Sequence, residues 1–183
     1  TIKGSSTIII NEVLIGEVWV CSGQSNMQLP LKGGLDGNFI EGGLDAIVNS
    51  KNDRIRFFRV QKNASLKPLD NLKGKWEKAD PSTSGSFSAV GYFFAHQIEK
   101  VLEVPVGIIV TSWGASTAEA WTDSSTLNDL GLESPEKMAK MKQQTPSALY
   151  NAMIHPLIGY GMKGVLWYQG ESNRHNAEQY EDI

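Results

Sequence analysis

Residues 88–114 read SAVGYFFAHQIEKVLEVPVGIIVTSWG, and this stretch decides the fold class. Val90, Phe94, Ile98, Val101 and Leu102 recur at helical spacing, which predicts a helix from Ser88 to Val104 that Pro105 stops. Directly behind it, Val106–Thr111 is a short unbroken apolar run, the pattern of a strand buried in a parallel sheet. Ser112-Trp113-Gly114 then turns the chain.

The segments on either side repeat this grammar. Upstream, Thr7–Ile10 is β-branched, and Val13–Val20 (VLIGEVWV) is an apolar run broken only by Gly16 and Glu17. It predicts a buried strand that leaves through Cys21-Ser22-Gly23. Leu31–Gly43, rich in Gly and Asp, reads as loop. Arg54–Val60 (RIRFFRV) reads as a second strand, with Ile55 and Phe57 on one face and Phe58 and Val60 on the other. Residues 61–86 read as loop with a short strand near Trp76. Downstream, Pro135–Gln144 is predicted as a polar helix, the Lys/Glu-rich stretch Glu133–Lys142 being its solvated face. Pro146–Tyr160 is predicted as a helix on Leu149, Met153 and Leu157. Gly164–Tyr168 (GVLWY) is a further apolar strand, followed at once by Gln169–Asn173. Helix, strand and turn in alternation specify an α/β protein with a mostly parallel sheet.

Composition narrows the function classes. The 183 residues suit one domain, and with 17 Lys+Arg against 20 Asp+Glu the net charge is -3, so no basic field recruits nucleic acid. No apolar run reaches the length of a membrane-spanning helix. Cys21 is the single cysteine, and His96, His155 and His175 are scattered, so neither a disulfide framework nor a zinc site is expected.

In open parallel sheets ligands bind beyond the carboxyl ends of the strands. Three strand ends here carry small or polar residues: Gly23–Asn26, Ser112–Ser116 and Gln169–Asn173. Ser25 suits either a helix cap or an exposed hydroxyl on a tight turn. Gly114 allows close backbone approach and leaves an N–H accessible. Gln169, Glu171 and Asn173 offer amides and a carboxylate to a cleft. Acyl transfer needs a nucleophile, donors for the developing oxyanion and a base, and the three ends supply the first two.

The blocks Val18–Met27 (VWVCSGQSNM), Ser112-Trp113-Gly114 and Trp167–Asn173 (WYQGESN) resemble the sialate O-acetylesterase-like branch of the SGNH (GDSL-like) hydrolases. The resemblance runs over nearly the whole chain. It implies a flavodoxin-like three-layer α/β/α sandwich and a carbohydrate O-acetylesterase that works through an acetyl-enzyme. Carried over residue by residue, it places the nucleophile on Ser25 and the oxyanion hole on the N–H groups of Ser25 and Gly114 with the Gln169 side-chain amide. Asn173 is a rival for the amide, and Glu171 either orients the catalytic histidine or holds the loop. Trp121 is the favoured aromatic for sugar contact. No metal or organic cofactor is called for. The expected partner is an acetylated glycan or sialic acid, with no nucleic acid and no membrane.

The family's base is a histidine three residues after an aspartate, and none of the three histidines fits, since Phe93, Ala152 and Ser172 stand at those positions. The expectation is therefore residues 1–12 as the tail or linker of an upstream β-rich domain, and residues 13–183 as a hydrolase domain lacking its C-terminal Asp-x-x-His segment. A non-catalytic carbohydrate-binding fragment is the competing reading. Thr1-Ile2-Lys3-Gly4 shows no signal-peptide n-region, and a periplasmic or secreted location is expected for the protein at work.

Overall fold

The computed structural model describes residues 2–34, 37, 39–132 and 135–183. Two short strands, β1 (Ile2–Lys3) and β2 (Thr7–Ile8), pair antiparallel in a small sheet of their own. The main sheet holds β3 (Glu17–Gly23), β4 (Asn52–Val60), β5 (Gly74–Ala79), β6 (Val106–Val110) and β7 (Gly164–Tyr168), in the order β5-β4-β6-β3-β7. Only β5 runs antiparallel to its neighbour.

Strand parity sends alternate side chains into two cores, which makes a three-layer sandwich. Cys21, Ile55, Phe57 and Ile108 pack with Tyr92 and Ala95 of helix α3 (Ala89–Leu102) on one face. Val20, Val60 and Ile109 pack with Trp121, Leu149 and Met153 on the other. Helix α3 begins at Ser88, whose Oγ accepts the Gly91 N–H at 3.2 Å. It approaches the sheet closely because Gly91 has no side chain: a Cβ there would lie 3.3 Å from both Cys21 Sγ and the Phe57 ring. The same Ser88 Oγ donates to Met27 O at 2.6 Å, which ties α3 to the one-turn helix α1 (Ser25–Gln28).

The strands and α3 stand where the sequence puts them, with four differences. Val13, Leu14 and Ile15 lie outside β3 and are exposed, Ile15 to 93%. Strand β7 is an edge whose Val165, Trp167 and Tyr168 are exposed, above a hollow of about 560 Å³ lined by Trp121, Tyr150, Leu157, Val165, Trp167 and Ile183. Instead of a helix over Pro135–Gln144 there is only a 3₁₀ turn at Lys142–Gln144, while Glu133 lies outside the described residues. Residues 146–160 wind as a π turn (Tyr150–Ile154) followed by a 3₁₀ turn (His155–Leu157), yet Leu149, Met153 and Leu157 are buried as their spacing requires. Within the loop at Leu31–Gly43, Leu35, Asp36 and Asn38 lie outside the described residues; Gly43 already opens helix α2 (Gly43–Val48). Ala120 and Trp121 of α4 (Ala118–Trp121) join the second core, α5 (Ser124–Asp129) follows, and α6 (Ala177–Asp182) comes after the third polar strand end. Among the described residues no helix is long and apolar enough to cross a membrane.

Candidate active site

The carboxyl ends of β3, β6 and β7 are brought level by register, Cys21 standing opposite Val110 and Gly23 opposite Tyr168. Backbone bonds then join the three loops. Gln24 N–H donates to Tyr168 O at 3.0 Å, and Trp113 N–H donates to Gly23 O at 3.0 Å. Gly23 takes φ +133°, and a Cβ on it would meet Tyr168 O at 2.1 Å, so only glycine brings the chain past β7 here.

Ser25 follows two residues later, exposed, as the first residue of α1. The N–H groups of that first turn have no partner within the helix. One turn on, on the same side of α1, the Gln28 side chain reaches the second loop, its Oε1 accepting the Gly114 N–H at 2.7 Å. A Cβ placed on Gly114 would lie 3.7 Å from Ser25 Cβ. Gly114 therefore lies beside the Ser25 side chain, and its N–H is occupied by the Gln28 amide oxygen. Ala115, next in the chain, holds φ +60°, a left-handed conformation costly for a residue with a Cβ.

The third loop is held by amides. Gln24, nearly fully buried, accepts on Oε1 the N–H groups of Ser172 (3.2 Å) and Gly170 (3.4 Å). Asn26 Nδ2 donates to Glu171 Oε1 across the mouth of the site. Asn173 is buried and its orientation is fixed from both ends: Oδ1 accepts the Ala118 N–H at 2.9 Å, and Nδ2 donates to Glu119 Oε2 at 2.9 Å. That fixes Gln169 in turn. Its Nε2 donates to Asn173 Oδ1 at 2.7 Å and to Ser116 O at 3.0 Å, while its Oε1 is buried without a partner among the described residues.

Ser25, Gly114, Gln169, Glu171 and Asn173 thus gather at one end of the sheet. Trp121 stands apart in the second core, its indole N–H donated to Ser116 Oγ at 2.8 Å and its ring edge-on to Trp167. Among the described residues no histidine hydrogen-bonds Ser25. His175, beyond the third loop, is exposed and accepts from Arg174 Nε at 3.2 Å; His155 bonds Leu69 O; His96 is exposed on α3 beside Tyr92. Cys21 is wholly buried, and burial pushes its thiol up to about 12, so it is a packed thiol with no nucleophilic character. Among the described residues no three His, Cys, Asp or Glu side chains gather as a metal site. Gln24 and Gln28 carry contacts that residue-type patterns did not single out, because their partners lie 86 to 148 residues away.

The chain is similar to known sialate and carbohydrate acetylesterases. It is 32% identical over 190 residues to a human sialate O-acetylesterase, covering 97% of this chain and 35% of that protein. The corresponding rat protein is 29% identical, covering 95% of this chain and 38% of that one. A crystal structure described as a novel carbohydrate acetylesterase from Xanthomonas citri superposes with a TM-score of 0.80 at 40% identity, over 91% of this chain and 36% of that one. The chain thus spans little more than a third of the length of these relatives. The family model for carbohydrate esterases described as sialic acid-specific acetylesterases matches residues 15–182, and the chain belongs to that family.

Proposed function

We propose that the chain carries the nucleophile and the oxyanion-stabilising elements of an esterase that removes O-acetyl groups from sialic acid or other acetylated carbohydrates. Ser25 Oγ attacks the acetyl carbonyl carbon, and the carbonyl π electrons move to oxygen. The N–H groups of Ser25 and Gly114 receive that oxyanion, the latter once Gln28 Oε1 withdraws from it, and the Gln169 amide joins them by giving up its bond to Ser116 O. Each such donor is worth about 3–4 kcal/mol of barrier. Collapse of the tetrahedral intermediate breaks the bond to the sugar oxygen, which leaves with a proton as the free hydroxyl. Water then attacks the acetyl-enzyme, releasing acetate and restoring Ser25. The proton shuttle is a histidine that the family resemblance places beyond residue 183, as part of an Asp-x-x-His segment. A periplasmic or secreted site of action is part of the same proposal.

The observation that carries this reading is the exposed Ser25 hydroxyl beside Gly114 where the three loops meet, the Gly114 N–H being held by Gln28 Oε1 at 2.7 Å until a substrate oxygen takes its place. A fluorophosphonate probe tests it. Ser25 is the expected site of the adduct, most rapidly in a chain extended past Ile183, and Ser25→Ala abolishes it. No adduct on Ser25 even in the extended chain would refute the esterase reading and favour a non-catalytic carbohydrate-binding role.

A further inference from the structure

Beside the nucleophile, at the carboxyl ends of β4 and β6, lies a second cleft of about 720 Å³, within the size range of small-ligand sites. Gln28 lines it, and the same side chain sits on the Gly114 N–H, so cleft and nucleophile share a wall. Three cations also line it, Lys32, Arg59 and Lys62, and no carboxylate does. Arg59 is already paired, its guanidinium 3.4 Å from Glu77. Lys32 and Lys62 have no ion pair among the described residues. The Lys62 ammonium lies 5.6 Å from the centre of the Trp113 ring, against the residue that precedes Gly114. Partial burial there disfavours its charged form and lowers its pKa. In a chain of net charge -3, a cleft lined only by positive charge is matched to an anion.

We propose that this cleft is the acid-recognising subsite of the enzyme: Lys62, with Lys32 on the lining of the same cleft, binds the carboxylate of an acidic sugar and so presents an acetylated hydroxyl of the same ring to Ser25. The proposal rests on the assignment of Ser25 as nucleophile. It makes Lys62 a specificity-determining residue, one that separates acetylated sugar acids from neutral acetylated sugars. The charge match also gives the enzyme a salt-sensitive affinity, because a half-exposed pair is screened at high ionic strength.

Binding tests this without requiring turnover. N-acetylneuraminic acid and its methyl ester, which has the same ring but no charge, are titrated into the 183-residue chain, with the Trp113 indole N–H resonance followed by NMR. The acid is expected to bind about tenfold or more tighter than the ester, the scale of one charge-assisted contact. Lys62→Met is expected to bring the acid to the affinity of the ester, Lys62→Arg to keep most of the preference, and added salt to erode it. Equal binding of the two ligands, no binding of either, or a preference that survives Lys62→Met overturns the proposal. Fluorophosphonate labelling of the same sample separates it from the esterase reading. A Ser25 adduct without acid preference removes the subsite alone, whereas acid preference without an adduct on the extended chain leaves the anion site standing and removes the esterase.

Discussion

Asn173 is the residue through which the third loop is locked to the second, and its replacement can be worked through from the hydrogen bonds it makes. Its Oδ1 accepts from Ala118 N–H and Gln169 Nε2, and its Nδ2 donates to a Glu119 oxygen. Asn173→Ala leaves the buried Ala118 N–H without an acceptor and removes a bond to a carboxylate. With an orphaned buried donor at about 1–3 kcal/mol and a charged hydrogen bond at about 1.5–3 kcal/mol, a loss of about 3–5 kcal/mol is expected. That is a large fraction of a typical domain's stability. Asn173→Asp keeps the acceptor but sets a second carboxylate 2.9 Å from Glu119 Oε2, where the amide nitrogen had been. Two carboxylates so close share a proton, so one of them has its folded pKa raised above the unfolded value. The folded state then binds more protons than the unfolded one, and stability falls as pH rises through the carboxylate range, from about 4 upward. The deficit of the Asp variant relative to the native chain is therefore large at pH 7 and shrinks at about pH 4. Urea melts at both pH values, followed by tryptophan fluorescence, read this directly. An Ala variant within about 1 kcal/mol of native, or an Asp variant whose deficit ignores pH, refutes the network as the clamp on the third loop.

Further outcomes are expected elsewhere. Gly114→Ala folds normally, since its methyl meets Gln28 Oε1 at 3.4 Å and Ser25 Cβ at 3.7 Å, both ordinary contacts; but it fills the space an acyl group must enter. Fluorophosphonate labelling of Ser25 should slow by about tenfold or more at unchanged melting temperature. Gly23→Ala is expected to lose about 3 kcal/mol or more in a urea melt, because φ +133° and Tyr168 O at 2.1 Å leave no place for a Cβ. The hydroxyl of Ser125, then those of Thr126 and the backbone N–H groups behind them, hold the Asp123 carboxyl down at about 2, where it caps α5. Its stabilising contribution is full above the ordinary Asp range and is lost as pH falls toward 2; a carboxyl-carbon NMR titration checks the midpoint, and Asp123→Ala should cost about 1 kcal/mol. Iodoacetamide at pH 8 should leave Cys21 unmodified until the protein is unfolded, as mass spectrometry will show.

What the sequence made legible follows physical lines. Helix α3 announced itself because a cap, an apolar stripe and a terminating Pro105 all agree. The apolar runs of β3 and β6 identified buried strands, but the equally apolar run of β7 identified a strand without revealing that it lies at the edge. Periodicity reports what a segment pairs with poorly and what it is made of well. Pro135–Gln144 had helix-forming residues without an apolar face to bury, and short helices owe their stability to such burial. In the 146–160 segment the i, i+4, i+8 spacing found the buried side chains correctly. It was blind to the hydrogen-bond shift ahead of Pro156, which has no N–H to give. For the site, the three polar strand ends located the gathering point, and the family resemblance assigned roles within it. Gln24 and Gln28 acquire theirs only when loops far apart in the chain meet, and nothing in their local sequence encodes that.

The three loops are joined through peptide groups: Gln24 N–H to Tyr168 O, Trp113 N–H to Gly23 O, and Thr111 N–H to Cys21 O. Peptide groups are common to every residue type, so the strand side chains beneath these loops are free to vary in volume and shape provided the layers stay filled. The position of Ser25 is accordingly buffered against mutational drift in the cores. Evolution, or an engineer, can restyle the interior of this protein while the spacing between hydroxyl and receiving amide stays put, so long as Gln24, Gln28 and Asn173 keep the loops clamped. The tolerance ends at Gly23, where a single added methyl removes the ruler itself.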